Sequence, residues 1–174
     1  MMNIRTDLLH WECHDIVTVN QCQIVDEDYR KVLDCVLDYC TKRELPFYKK
    51  LRHEGYLRHL LVRRTTVTKQ MLVAIVTTSD KECEEKAQWN ELVEELKKLD
   101  LTAKLCGVMH IINDGLADVV KSDETRVLYG DEYIYEELLG LKFKIQYFHF
   151  SKLILLERKY YTARQESTLA IQKI

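Results

Sequence analysis

Two neighbouring runs constrain this chain most. Leu57 to Thr66 alternates basic and apolar residues, and Met71 to Thr77 is almost entirely apolar and β-branched. Both have the length and composition of strands, and Thr68-Lys69-Gln70 lies where a hairpin turn belongs, although the usual glycine is missing. Helical segments flank them. Asp26 is placed to cap a helix running to about Lys42, with Tyr29, Val32, Val36, Leu37 and Tyr39 near helical spacing. Asp80 opens a second helix to about Leu99, with Trp89, Leu92, Val93, Leu96 and Leu99 on one face. Lys104 to Asn113 reads as a buried strand, followed by a turn at Asn113-Asp114-Gly115. Shorter strands are expected at Thr125 to Tyr129, Glu132 to Leu138 and Leu141 to Ile145, and an extended segment at His14 to Ile24. Hairpin-like neighbours mixed with two principal helices predict an α+β fold with a mainly antiparallel sheet.

The composition narrows the class without naming a function. The 174 residues suffice for one domain or a large piece of a bigger protein, and five Gly and one Pro leave no linker. A net charge of −2 is not that of a strongly basic nucleic-acid-binding domain, although local clusters can outweigh the total. The six Cys at 13, 22, 35, 40, 83 and 106, with no secretory leader and no membrane-length apolar run, predict free thiols in a cytoplasmic setting.

Few residues are staged for chemistry. His10, Cys13 and His14 are metal-ligand types, but no second pair stands at workable spacing, so they read as chance clustering. Cys35 and Cys40 do not form a CxxC motif and read as packing residues. Asn113-Asp114-Gly115 reads as a turn for backbone reasons and not as a catalytic loop. No glycine-rich phosphate loop is present. The informative segment is Arg58-His59-Leu60-Leu61-Val62-Arg63-Arg64, just after Lys49, Lys50 and Arg52. In a strand Arg58, Leu60 and Val62 share one face, while His59, Leu61 and Arg63 share the other. Basic groups projecting from a sheet can hold phosphates, and a solvated charged strand is the plainer reading.

The order of several segments adds a resemblance. His14-Asp15-Ile16-Val17, Cys22, the run from Glu54 to Arg63, Gly107 to Asp114, Asp118-Val119-Val120, Leu128-Tyr129-Gly130 and Tyr133 to Ile145 occur in succession. Together they resemble the central domain of the RNA uracil-C5 methyltransferases that act on ribosomal RNA and tRNA. The resemblance implies residues 14–145 as that domain, 1–13 as an N-terminal extension and 146–174 as an aberrant tail. It also implies an oligonucleotide-binding barrel before this domain and a Rossmann-like domain binding S-adenosylmethionine after it. The family's chemistry uses a Cys thiolate on C6 of a flipped-out uracil, methyl transfer to C5 and a general base for the C5 proton. Many members carry a 4Fe-4S cluster on four Cys. Cys22 matches the fourth of these, a vestigial position here because the other three have no counterparts at the right spacing. The basic strand supplies the candidate RNA contacts, Arg58, His59, Arg63 and Arg64, and no catalytic or cofactor-binding residue is assigned.

After Ile145 the resemblance stops. Where the family continues Ser-Pro-Phe-Ser-Phe-Phe-Gln-Thr-Asn, this chain has Gln146-Tyr147-Phe148-His149-Phe150-Ser151-Lys152-Leu153-Ile154. Taking the third base of each codon with the first two of the next, Tyr147 to Thr162 can be re-read as Phe-Ser-Phe-Phe-Gln-Thr-Asn-Ser-Leu-Gly-Ala-Glu-Val-Leu-Tyr. This predicts a frame shift near Ile145 or Gln146, an early stop after Ile174 and loss of the catalytic and cofactor-binding domain. The expected function is a fragment of an rRNA-directed uracil-C5 methyltransferase, inactive alone and holding no cofactor, with no membrane association. The alternatives are an accessory module binding RNA or protein without catalysis, and a structural remnant.

Overall fold

The computed structural model describes residues 25–49, 51–115 and 123–146. The expectations for the 1–13 extension, for His10, Cys13, His14 and Cys22, for the extended segment to Ile24, for Lys50, for Asp118-Val119-Val120 and for the tail beyond Gln146 lie outside them.

Asp26 opens the first helix, α1 (Glu27–Lys42), by accepting the backbone N–H of Asp28 at 3.1 Å. Val32, Val36, Tyr39 and Cys40 recur every three to four residues and are buried as one stripe. The strands β1 (Leu57–Arg64) and β2 (Gln70–Thr77) pair antiparallel, with Leu60 opposite Ile75 and Val62 opposite Val73. The expected hairpin is present, but its turn runs over residues 65–69, so β1 ends at Arg64 and not Thr66. Thr65 closes it: its N–H donates to the Gln70 carbonyl at 2.9 Å, and its hydroxyl accepts the Gln70 N–H at 2.7 Å. Lys69 occupies the left-handed region, with φ 51°, where a glycine was missed.

The second helix departs from expectation. It is divided at Gln88, whose backbone is left-handed (φ 45°, ψ 54°), into α2 (Lys81–Ala87) and α3 (Trp89–Lys98). The Tyr39 hydroxyl from α1 lies 2.8 Å from the carbonyls of both Ala87 and Gln88, so a partner outside the helix serves oxygens freed by the break. The break also turns Trp89 inward, where it stacks on Tyr56 at 6.3 Å.

The chain then forms β3 (Lys104–Ile112), β4 (Glu124–Gly130), β5 (Tyr133–Leu138) and β6 (Leu141–Gln146). The main sheet has the order β1-β2-β3-β4, and β5 and β6 form a separate hairpin. The pairs β1–β2, β3–β4 and β5–β6 are antiparallel, and β2–β3 is parallel across the helical crossover. The fold is therefore α+β with a mostly antiparallel arrangement, as expected. Strand limits differ from the sequence reading by one or two residues.

Both faces of β2 are covered, which is why it reads as a nearly continuous apolar run. Met71, Val73 and Ile75 face the helices with Val32, Val36, Leu92 and Leu96. Leu72, Ala74 and Val76 face the other way with Met109, Ile111 and Ile134 of the hairpin. Gly107 and Gly130 are paired across β3 and β4, and a Cβ on Gly130 would lie 1.9 Å from the Cys106 carbonyl oxygen. Only glycine permits that approach.

Candidate nucleic-acid interface

β1 lies at one edge of the sheet, and its residues divide between the two faces. Leu60 and Val62 pack into the helix-side core, whereas Leu61 packs on the hairpin side. Strand alternation sends His59 and Arg63 to the side of Leu61, and Arg64 to the side of Val62.

Arg64 has a structural task. Its Nε donates to Asp28 Oδ2 at 3.0 Å, Nη1 lies 3.1 Å from Asp26 Oδ2, and Nη2 donates to Thr102 Oγ1 at 2.9 Å. Asp28 is fully buried and also accepts the N–H groups of Thr102 (2.9 Å) and Ala103 (3.0 Å) and the Thr102 hydroxyl (2.6 Å). Burial alone would raise the Asp28 pKa; the hydrogen bonds from Thr102, Ala103 and Arg64 outweigh it and hold the carboxyl below its ordinary range. With its side chain only 9% exposed, Arg64 cannot engage a phosphate without stripping Asp28 of a charged partner. Arg64 thus ties α1 and the segment before β3 to the end of β1.

Arg58 sits at an irregularity in the β1–β2 ladder and reaches across to the end of β3. Its Nη1 donates to the carbonyls of Asn113 (2.6 Å) and Gly115 (2.7 Å), and its guanidinium lies 4.6 Å from the Tyr48 ring centroid. Asn113 Oδ1 accepts the Gly115 N–H at 2.9 Å, Asp114 Oδ1 accepts the Ser79 N–H at 2.8 Å, and Asp123 Oδ2 accepts the Asp114 N–H at 2.9 Å. Asn113-Asp114-Gly115 is thus a side-chain-braced turn. Lys49 and Arg52 belong to the bend leading into β1, where the Arg52 N–H donates to the Lys49 carbonyl at 3.1 Å.

Three buried groups escaped the sequence reading. Asp28 is one. Glu136 is another: it is fully buried and accepts the consecutive N–H groups of Thr66 (2.6 Å), Val67 (3.1 Å) and Thr68 (3.4 Å). These bonds, with Tyr135 N–H to Gln70 Oε1 at 2.8 Å, fasten the β5–β6 hairpin to the β1–β2 turn. A signal existed, because Glu136 shares its strand face with Ile134 and Leu138. The third is His110, 1% exposed, with Nε2 2.8 Å from Thr77 Oγ1 and its ring 5.3 Å from Trp89. Burial lowers its pKa to about 4, so it is a neutral core histidine and not an accessible base.

Three of the described thiols, Cys35, Cys40 and Cys83, are poor nucleophiles. Burial pushes Cys40 up to about 12, and Cys35 and Cys83 are also raised, by burial first and then by neighbouring carboxylates. Among the described residues no three His, Cys, Asp or Glu side chains converge as a metal site, and no helix is long and apolar enough to cross a membrane. The parallel β2–α2–α3–β3 unit is where a nucleotide-like cofactor would find a helix N-terminus, but Asp80 already takes the Cys83 N–H at 3.1 Å and Asp114 takes that of Ser79.

No family model matches the chain. It is 46% identical over 135 residues to an uncharacterized RNA methyltransferase of Clostridium acetobutylicum, covering 78% of this chain and 29% of that protein. An uncharacterized RNA methyltransferase of Caldanaerobacter subterraneus is 42% identical over 154 residues, covering 87% of this chain and 33% of that one. The chain belongs to the RNA methyltransferase family. The fold agrees: a tRNA (uracil-54, C5)-methyltransferase of Pyrococcus abyssi, solved with S-adenosyl-L-homocysteine, superposes with a TM-score of 0.61 over 85% of this chain and 35% of that one, at 18% identity. The chain spans about a third or less of the length of the methyltransferases it matches.

Proposed function

We propose that this chain is the central-domain part of an S-adenosylmethionine-dependent RNA (uracil-C5-)-methyltransferase directed at ribosomal RNA, and that this part holds RNA rather than transferring the methyl group. The 46% identity to an RNA methyltransferase carries the reading, and the fold shared with a uracil-C5 enzyme supports the choice of base. The division of β1 supports the role. Alternation sends His59 and Arg63 to the hairpin side of the sheet, and the RNA contacts are assigned there. The raised thiols and the occupied N-terminus of α2 support the view that the described residues do not perform the chemistry.

The reading includes translation of the tail out of frame from near Gln146, which sequencing of the parental DNA tests. An intact frame encoding residues 146–174 in close relatives removes that element.

Filter binding with a structured ribosomal RNA fragment tests the assignment on β1. Arg63→Ala is expected to weaken binding uniformly across RNA sequences and to reduce the salt dependence by about one phosphate contact. An unchanged salt slope sinks that assignment. Calorimetry with S-adenosylmethionine is expected to give no heat of binding to this chain; micromolar affinity overturns the division of labour.

A further inference from the structure

The hairpin has two unlike faces. Its inner face carries Ile134 and Glu136, both buried, and Glu136 is held by three backbone donors of the β1–β2 turn. The register places Tyr135 opposite Lys144 and Glu137 opposite Lys142, and alternation puts these residues with Tyr133 on the outer face. Tyr133 and Tyr135 meet edge to face, with centroids 5.5 Å apart and planes at 75°.

A plain account is available for part of this face. Aromatic and cationic cross-strand pairs stabilise hairpins, and the Lys144 ammonium sits 3.8 Å from the Tyr133 ring centroid. That account does not cover Tyr135. Its directly opposite neighbour, Lys144, is drawn diagonally to Tyr133, and Tyr135 remains 42% exposed. An aromatic side chain held on a fastened strand, beside two lysines, has the composition of a stacking platform with phosphate contacts. It rises on the side of the sheet to which alternation sends His59 and Arg63.

We infer that the outer face of the β5–β6 hairpin binds single-stranded RNA, with Tyr135 stacking on an unpaired base and Lys142 and Lys144 contacting phosphates on either side. The inference rests on the RNA-binding reading above and extends it to a second element. An unpaired base is required because bases inside a duplex offer no free face to a side chain.

The test uses the full chain and a labelled oligouridine of about 12 nucleotides, a length within the usual site sizes of single-strand binders, with a duplex of equal length for comparison. Tyr135→Ala is expected to weaken oligouridine binding about tenfold while Tyr135→Phe retains it, because the ring and not the hydroxyl does the stacking. Lys142→Ala with Lys144→Ala is expected to lower the salt slope by about 1.4, two contacts at the single-strand value. Photocrosslinking of 4-thiouridine RNA to the unaltered chain is expected to map to residues 133–146, a readout independent of how any variant folds. If the parent binds RNA but Tyr135→Ala binds equally well, or crosslinks fall only outside the hairpin, the hairpin inference is overturned while RNA binding through β1 stands. If the parent binds neither structured nor single-stranded RNA, both fall together.

Discussion

Replacing Asp28 with alanine is expected to cost about 3–5 kcal/mol of folding stability, the range seen when one partner of a buried charged pair is removed. The size follows from what is left behind. Arg64, with its side chain 9% exposed, loses its fully buried partner and keeps the partly exposed Asp26 and the Thr102 hydroxyl. The N–H groups of Thr102 and Ala103 lose their acceptor where α1 and the start of β3 meet. Denaturant unfolding measures the loss. A loss below about 1 kcal/mol, that of an ordinary exposed pair, would show that the network is not a structural lock. Arg64→Ala supplies the cross-check. In a double-mutant cycle the two losses are expected to be strongly non-additive, because each variant breaks the same pair.

His110 sets the second large effect, and its sign is opposite to that of a histidine gaining a partner. Its folded pKa is about 4 against an ordinary 6.5, with burial the chief cause; the Glu84 and Glu124 carboxylates pull it back up and Arg126 pushes it down. Below pH 6.5 the unfolded chain takes up a proton that the folded one refuses, so stability falls as the pH drops from 6.5 to about 4. Integrated over that window the loss is about 3 kcal/mol. Asp28 acts in a separate range: its folded pKa lies below 3.8, so its contribution is present above that value and disappears only in stronger acid. Stability measured between pH 7 and 4 is therefore expected to be markedly flatter for His110→Gln than for the parent. Parallel curves would rule out His110 as the titrating group.

Much of the architecture was legible because it depends on local period. The spacing of Val32, Val36 and Tyr39 requires a helix with one buried face, and α1 follows it within a residue. The division of the second helix was not legible. Its apolar stripe runs without interruption through Trp89, and the carbonyls at the break are met by the hydroxyl of Tyr39, 48 and 49 residues earlier. The parallel register of β2 on β3 was likewise hidden, since a strand's composition does not identify the edge on which its neighbour lies.

The basic strand shows the same boundary in the candidate site. Alternation alone assigns Arg58 and His59 to opposite faces, and so separates Arg63 from Arg64. It does not determine that one face meets a buried carboxylate and the other lies on the hairpin side. Asp28, 36 residues before Arg64, makes that distinction through Coulomb attraction and hydrogen bonding in a dry environment. Glu136 was within reach, since it interrupts an apolar strand face, but its partners are three N–H groups of a distant turn.

By itself the sequence determined the order and kind of most elements, the α+β class and the kinship with RNA methyltransferases, because these reside in local period and in ordered motifs. Only the tertiary structure decided which charged side chains are committed to the interior and which belong to the hairpin side of the sheet. That choice depends on burial and on partners remote in sequence: a charge enters a protein core only where another part of the chain compensates it.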